Sequence, residues 1–181
     1  SIRGNGKSLT MTYYGYQAFK EGQTVYSNYY TKFSCIKTLN ELMDIFNNKN
    51  LSNTVVLLDE IQVYLPNQGV KKGILNDLIA RFIAQTRKRN IDIFYTTQRF
   101  KNLNNQLRIH TDEILLPIKT HADGIQCSSD KCKKEHYIHI FSQYSDDAII
   151  VLDAQKVGKL YDSNEIIFDE YIPKDDNKKS K

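Results

Sequence analysis

A glycine-rich loop at the start of the chain constrains the fold more than any other feature. It reads Gly4-Asn5-Gly6-Lys7-Ser8 and runs into an apolar helical pattern. Glycines let backbone N–H groups turn inward around phosphate oxygens, and a helix that begins near Lys7 directs its positive dipole end at the same anion. The loop therefore predicts a phosphate-binding site at the start of a helix.

The lysine and serine that close this loop indicate a nucleotide rather than a simple anion. The Lys7 ammonium can reach β- and γ-phosphates, and the Ser8 hydroxyl can bind Mg²⁺. The full Walker A pattern is G-x-x-x-x-G-K-[ST], and Ser1 stands where its first glycine is expected. The alternative is a glycine turn before an ordinary helix. The predicted cofactors are ATP and Mg²⁺, and the predicted nucleotide-binding residues are Arg3, Gly4, Asn5, Gly6, Lys7, Ser8 and Leu9.

An acidic strand end provides the second element of such a site. Residues Thr54–Glu60 are an apolar, β-branched run that ends in two carboxylates, as in a Walker B strand. Buried parallel strands have this composition, and ligands bind at their carboxyl ends. We expect Asp59 to join Ser8 in binding Mg²⁺ and Glu60 to orient and deprotonate a water. A core strand with a solvated acidic end is the alternative, which the phosphate loop disfavours.

A third polar group follows another predicted strand. Residues Ile91–Thr97 read as a strand, and Gln98 stands at its carboxyl end. In a parallel sheet Gln98 would share an edge with Asp59 and could hydrogen-bond the γ-phosphate or the attacking water. It could also be an ordinary polar cap of a strand end.

The predicted helix Ile74–Lys88 has a basic end, Arg87-Lys88-Arg89-Asn90. Cations at a helix C-terminus complement the helix dipole without any function. Alternatively, one arginine reaches the nucleotide site of a neighbouring subunit as an arginine finger. We favour Arg87 for that role, because Arg89 lies beside the break at Asn90.

The order of predicted elements indicates the fold class. Alternating strands and helices behind a phosphate loop favour an α/β P-loop NTPase with a mainly parallel sheet, helices on both faces and a small β-rich insertion. We expect a first strand upstream of the loop, one domain over 1–172, the insertion at about 122–147 and a disordered charged tail over 173–181. The expected helices are Ser8–Lys20, 39–46, Ile74–Lys88 and Arg99–Ile109. The expected strands are Thr24–Asn28, Thr54–Glu60, Ile91–Thr97, Glu113–Ile118, Tyr137–Phe141 and Ala148–Val151.

Together these motifs resemble the zonula occludens toxin-like ATPases, close to the HerA–FtsK class of P-loop motors. The resemblance is carried by the phosphate loop, the acidic strand, the basic helix end followed by a strand and Gln98, and Tyr161-Asp162-Ser163. It implies an ATP-hydrolysing ring, hexameric in this class, that moves DNA in viral genome packaging or in phage assembly and extrusion. Capsid or assembly proteins are the other implied partners.

Two other functions are alternatives to a DNA-translocating motor. One is a terminase-type packaging ATPase, although the nuclease that accompanies such an ATPase does not fit in 181 residues. The other is a nucleotide-binding scaffold for assembly or secretion that does not hydrolyse ATP, which Glu60 argues against. A net charge of +4 is compatible with DNA without identifying it. With no apolar membrane span evident, we expect a cytoplasmic protein of an infected cell, or a virion-associated one.

Cysteines and histidines of the insertion form a possible metal site. Cys127, Cys132 and His136, with His121 upstream, offer the sulfur and nitrogen ligands that Zn²⁺ prefers. Their spacing differs from the usual Cys-x2-Cys pattern, and a solvated hairpin is the alternative. His139 lies three residues beyond His136, so the two cannot share a face of an extended strand.

Overall fold

A parallel sheet forms the centre of the molecule. A computed structural model of the protein describes residues 6–63, 81–103, 105–127, 129 and 132–161. Four strands pair in parallel in the order β2-β1-β3-β4, and β2 at the edge is only two residues long. Their bounds are β1 Thr24–Ser27, β2 Cys35–Ile36, β3 Thr54–Leu58 and β4 Ile91–Tyr95.

The register of these strands brings their carboxyl ends to one edge. On β3, Leu57 lies opposite Ser27 of β1 on one side and Phe94 of β4 on the other. All five residues of β3 are buried, which explains its unbroken apolar run. The residues that follow the three main strands therefore meet at this edge, which we call the carboxyl edge.

Helices cover both faces of the sheet, as expected. Helix α1 (Lys7–Lys20) packs Met11 and Ala18 on one face, and α2 (Leu39–Asn47) packs on the other beside α3, whose described part is 81–86. Alternate residues of β3 point to opposite faces, so each face buries its own set of apolar side chains. The α1 face receives Val55 and Leu57, and the opposite face receives Val56, Leu58, Leu42, Phe46 and Phe82.

Gly15 allows α1 to lie close to β3. A Cβ added at this position would stand 2.5 Å from Leu57 Cδ1. The buried residues of α1 are Leu9, Thr10, Met11, Thr12, Gly15 and Ala18, whereas Phe19 is 46% exposed. The apolar pattern therefore predicted the helix but only part of its buried face.

A second, antiparallel sheet packs against the start of α1. Its strands are β5 (Leu115–Thr120), β6 (Tyr137–Ser142) and β7 (Ala148–Asp153), with β6 in the centre and α5 (Ala154–Gly158) following. These strands begin before the expected 122–147 insertion and end after it. Their inner side chains join Leu9 in one core cluster: Ile138, Ile140, Leu152 and Val157.

One predicted helix is wrong. The run Arg99–Ile109 is not continuous: a 3₁₀ turn covers Phe100–Asn102, and α4 covers Asn105–Ile109. Between them Leu103 has extended backbone and is fully buried. Leu103 and Leu107 both enter the core cluster that contains Leu42 and Phe46 of α2.

Several predictions fall partly or wholly outside the described residues. The helix over Ile74–Lys88 is described only from residue 81, and it ends as a 3₁₀ turn over Arg87–Arg89. The tail over 173–181 and the piece Asp162-Ser163 of the resemblance lie outside, as does any strand before the loop. Within the part that the structure describes, no helix is both long and apolar enough to span a membrane.

Candidate functional site

The start of α1 presents backbone donors in the direction of the predicted phosphate loop. Gly6 caps the helix in the left-handed region, at a φ of 88°, and provides no side-chain hydrogen bond to the first turn. No acidic residue lies in that turn, so an anion would meet backbone N–H groups and the positive end of the helix dipole. Lys7, the first helical residue, is half-buried. The predicted ligands Arg3, Gly4 and Asn5 lie outside the described residues.

Ser8 and Asp59 are in direct contact. The Ser8 hydroxyl donates to Asp59 Oδ2 at 2.8 Å, joining the first turn of α1 to the residue that follows β3. These are the two residues that the sequence analysis assigned to one Mg²⁺ ion. The fold brings them together over 51 positions of the chain. A hydroxyl and a carboxylate are both oxygen donors of the kind that Mg²⁺ accepts.

Asn28 holds the backbone of Asp59. Its amide Nδ2 donates to the Asp59 carbonyl at 3.0 Å, and its Oδ1 accepts from the Asp59 N–H at 2.7 Å. Asn28 directly follows β1, the strand beside β3. This reciprocal pair fixes the position of Asp59 past the end of its own strand.

Thr96 holds the same residue from the other side. Its hydroxyl donates to Asp59 Oδ1 and accepts from the Glu60 N–H, the latter at 2.9 Å. Thr96 follows β4 and is 5% exposed. Sequence analysis missed both Asn28 and Thr96 because it counted them as strand residues. Their position at the carboxyl ends of the strands beside β3 is the signal that would have identified them.

Glu60 has the unusual backbone of this site. Its φ is 51°, in the left-handed region that few non-glycine residues adopt, and such conformations cluster at functional sites. Its carboxylate accepts hydrogen bonds from Gln98 Nε2, at 3.2 Å, and from the side chain of Gln62. The predicted base and the predicted γ-phosphate sensor are therefore neighbours.

Burial sets the electrostatics of the carboxyl edge. Burial raises the pKa of Asp59, which is 8% exposed. Hydrogen bonds from Thr96 and Ser8 lower this pKa, and the charge of Glu60 raises it further. Burial also raises the pKa of Tyr29, whose hydroxyl lies 2.9 Å from that of Thr12. Tyr161 packs edge-on against Tyr29, and its pKa is raised to about 12 by burial and by the charge of Asp59.

Arg87 and Arg89 are the two candidates for the arginine finger, and the structure describes the side chain of Arg89 alone. Arg89 Nε donates to the Leu51 carbonyl at 2.8 Å, its Nη2 donates to the Asn48 carbonyl, and its guanidinium lies over the ring of Phe82. Arg89 is thus bound within its own chain. The side chain of Arg87 lies outside the described part of the molecule, so its role stays a prediction.

Leu9 contributes no side chain to the site. It is 7% exposed and packs into the second sheet. Any contact that it makes with a phosphate would come from its backbone.

The predicted Cys/His residues lie together in the connection between β5 and β6. One ligand atom from each of the four lies within 4.8 Å of the others: His121, Cys127, Cys132 and His136. His139 lies on β6, paired with Ile118 and Val151, and is not in this cluster. The cluster belongs to the antiparallel sheet, whereas Asp59 follows a strand of the parallel sheet.

Comparison with known proteins supports the fold of the chain but not a particular activity. No family model matches the chain, and no curated protein matches it. A solved structure similar to this chain is the crystal structure of the N-terminal domain of zonular occludens toxin from Neisseria meningitidis, which aligns with a TM-score of 0.58 at 18% identity. The alignment covers 90% of this chain and 95% of that domain. The chain therefore has a fold like that of the zonular occludens toxin N-terminal domain.

Proposed function

We propose that the protein binds ATP with Mg²⁺ between the start of α1 and the carboxyl edge, and that it hydrolyses the nucleotide. The observation that carries this proposal is the 2.8 Å hydrogen bond from Ser8 to Asp59. A glycine turn with no function would not require the hydroxyl after its lysine to meet a buried carboxylate from a distant strand. P-loop hydrolases require this meeting, because both groups bind the same Mg²⁺.

The remaining described residues suit the same chemistry. Lys7 and the backbone N–H groups at the start of α1 would bind phosphate oxygens. Glu60, held towards Gln98, would orient a water and accept its proton, while Asn28 and Thr96 keep Asp59 in place. Mg²⁺, when bound by Ser8 and Asp59, neutralises charge on the phosphates.

Two variants test this proposal. Lys7→Ala should lose ATP binding, and Glu60→Gln should keep binding while turnover falls by about 10²-fold or more, since only the base is removed. Glu21→Gln, an exposed residue at the end of α1, is the matched control and should behave as the wild type. Normal hydrolysis by Glu60→Gln would refute the assignment of the base.

We further propose, from the resemblance of the motifs, a ring motor that moves DNA in viral packaging or phage assembly. This makes the cytoplasm of an infected cell, or the virion, its place of action. ATP turnover with and without DNA distinguishes the motor from a non-hydrolysing scaffold. A motor should be stimulated by DNA, whereas a scaffold should bind ATP and hydrolyse none in either condition.

The ring proposal makes Arg87 the residue supplied to a neighbour, since Arg89 is bound within its own chain. Arg87→Ala should bind ATP and turn it over poorly. Mixing it with Glu60→Gln should partly restore turnover, because the second chain supplies Arg87 to an intact Glu60. Rings shown to be mixed by native mass spectrometry but lacking any rescue would remove the finger proposal.

A further inference from the structure

We propose that His121, Cys127, Cys132 and His136 form a structural zinc site that closes the connection between β5 and β6. Two sulfurs and two imidazoles face one another with all ligand atoms within 4.8 Å. Four protein ligands complete a tetrahedral shell and leave no position for a substrate, which is the arrangement of structural rather than catalytic zinc. Sulfur and imidazole together favour Zn²⁺ over the oxygen-seeking Mg²⁺.

The measured separations suit such a shell. His136 Nε2 lies 3.3 Å from Cys127 Sγ, and Cys132 Sγ lies 3.9 Å from His121 Nε2. Zn–S bonds of ~2.3 Å and Zn–N bonds of ~2.0–2.1 Å at tetrahedral angles place sulfur and nitrogen ~3.6 Å apart. The two observed distances lie on either side of that value, so small side-chain movements would complete the site.

The backbone delivers the ligands from two anchored positions. Past β5 the chain turns at His121, and Cys127 returns to donate its N–H to the Lys119 carbonyl at 2.9 Å. On the other side, the His136 carbonyl accepts from the N–H of Ala154, the first residue of α5, at 3.0 Å. Cys127 is therefore held to β5 and His136 to the start of α5, and Cys132 comes from the segment between them.

The connection also lacks the apolar contacts that would otherwise hold it. Among its described residues from 121 to 136, Cys127 is the one buried side chain. The His121 Nδ1 is buried and has no hydrogen-bond partner among the described residues. A segment without a core of its own requires a crosslink. Because both thiols are free in the structure, a metal ion can supply it.

Metal analysis of the full chain tests this proposal, since it requires neither nucleotide nor turnover. Protein purified without chelator, or loaded with Zn²⁺ and then desalted, should hold about one zinc per chain by elemental mass spectrometry. Cys132→Ser should lose nearly all of it. Cys35→Ser, which makes the same chemical change at an exposed cysteine of β2 outside the cluster, should keep it. Zinc-free wild type, or full zinc in Cys132→Ser, would overturn the site.

Thiol protection tests the same site in the wild type and does not depend on whether a variant folds. With zinc bound, iodoacetamide should modify Cys35 alone; after EDTA treatment it should modify all three cysteines. Peptide mapping then identifies the labelled positions. Equal labelling with and without EDTA, or a disulfide between Cys127 and Cys132 in the freshly purified chain, would contradict the proposal. Failure here would leave the nucleotide site untouched, and a loss of ATP binding would leave the zinc site untouched.

Discussion

The carboxyl edge and the Cys/His cluster both gather polar side chains, but different forces hold them. At the edge, neighbouring strands position Asp59: Asn28 bonds its backbone and Thr96 bonds its carboxylate. In the cluster, the imidazoles contact the sulfurs and each other. The first arrangement is preorganised by the sheet, whereas we propose that the second becomes rigid when it binds an ion. Each prediction below tests that difference.

Metal removal should have the largest effect, and it should be confined to the cluster. At free Zn²⁺ of ~100 times the dissociation constant, binding stabilises its site by ~2.7 kcal/mol. Chelation should therefore accelerate amide hydrogen exchange by roughly 100-fold in residues 121–136, while β1, β3 and β4 exchange as before. Exchange measured by mass spectrometry with and without EDTA checks this. Equal acceleration in β3 would mean that the two regions are not independent.

Removing one hydroxyl at the carboxyl edge should have the next largest effect. Thr96→Val deletes the group that donates to Asp59 and accepts from the Glu60 N–H, which leaves buried polar groups without partners. We expect a loss of ~1–3 kcal/mol in the free energy of unfolding, measured by urea denaturation.

The adjacent threonine is the matched control for that loss. Thr97 Oγ1 is buried and has no partner among the described residues, so Thr97→Val should be neutral or slightly stabilising. Equal losses in both variants would show that the Thr96 hydrogen bonds contribute no more to stability than a buried hydroxyl without a partner.

These residues also show where prediction from sequence ended. The β-branched composition of Thr54–Leu58 and the two carboxylates behind it are local, so the strand and Asp59 could be read directly. The roles of Asn28 and Thr96 depend on which strands lie beside β3, and strand order is not encoded in any local pattern. Leu103 illustrates the same limit, because the apolar spacing of its segment fits one helix whereas its backbone is extended.

The cluster was predictable only as a set of ligand types. The spacing Cys127-x4-Cys132-x3-His136 does not indicate that His121 lies beside these three residues. His121 reaches them because the turn at 121–124 and the bridge from Thr120 to Gln126 reverse the direction of the chain. Such a reversal depends on backbone pairing rather than on the ligands themselves. The sequence therefore predicted which residues could bind the metal, but it did not predict that the fold would bring them together.

The smallest predicted effect is a pH dependence at the carboxyl edge. The pKa of Tyr161 is raised to about 12, by burial and by the Asp59 charge, from an ordinary value of ~10. The folded chain therefore keeps a proton that the unfolded chain releases, and stability present below pH ~10 is lost as the pH rises towards 12. Tyr161→Phe should lose less stability than the wild type over pH 10–12, measured by urea denaturation.

An exposed tyrosine provides the control for that pH series. Tyr144 is 76% exposed, and Tyr144→Phe should follow the wild type at each pH. A Tyr161→Phe series that runs parallel to the wild type would show that folding does not raise the pKa of Tyr161.

The contact between Gly6 and β6 bears on how relatives of this chain can diverge. A Cβ at Gly6 would lie 2.7 Å from Ile138 Cδ1, and the φ of 88° already excludes most side chains there. Ile138 thus restricts a residue 132 places earlier in the chain, because any side chain at position 6 would collide with it. The antiparallel sheet therefore contributes, with the backbone conformation, to the requirement for glycine at the start of α1.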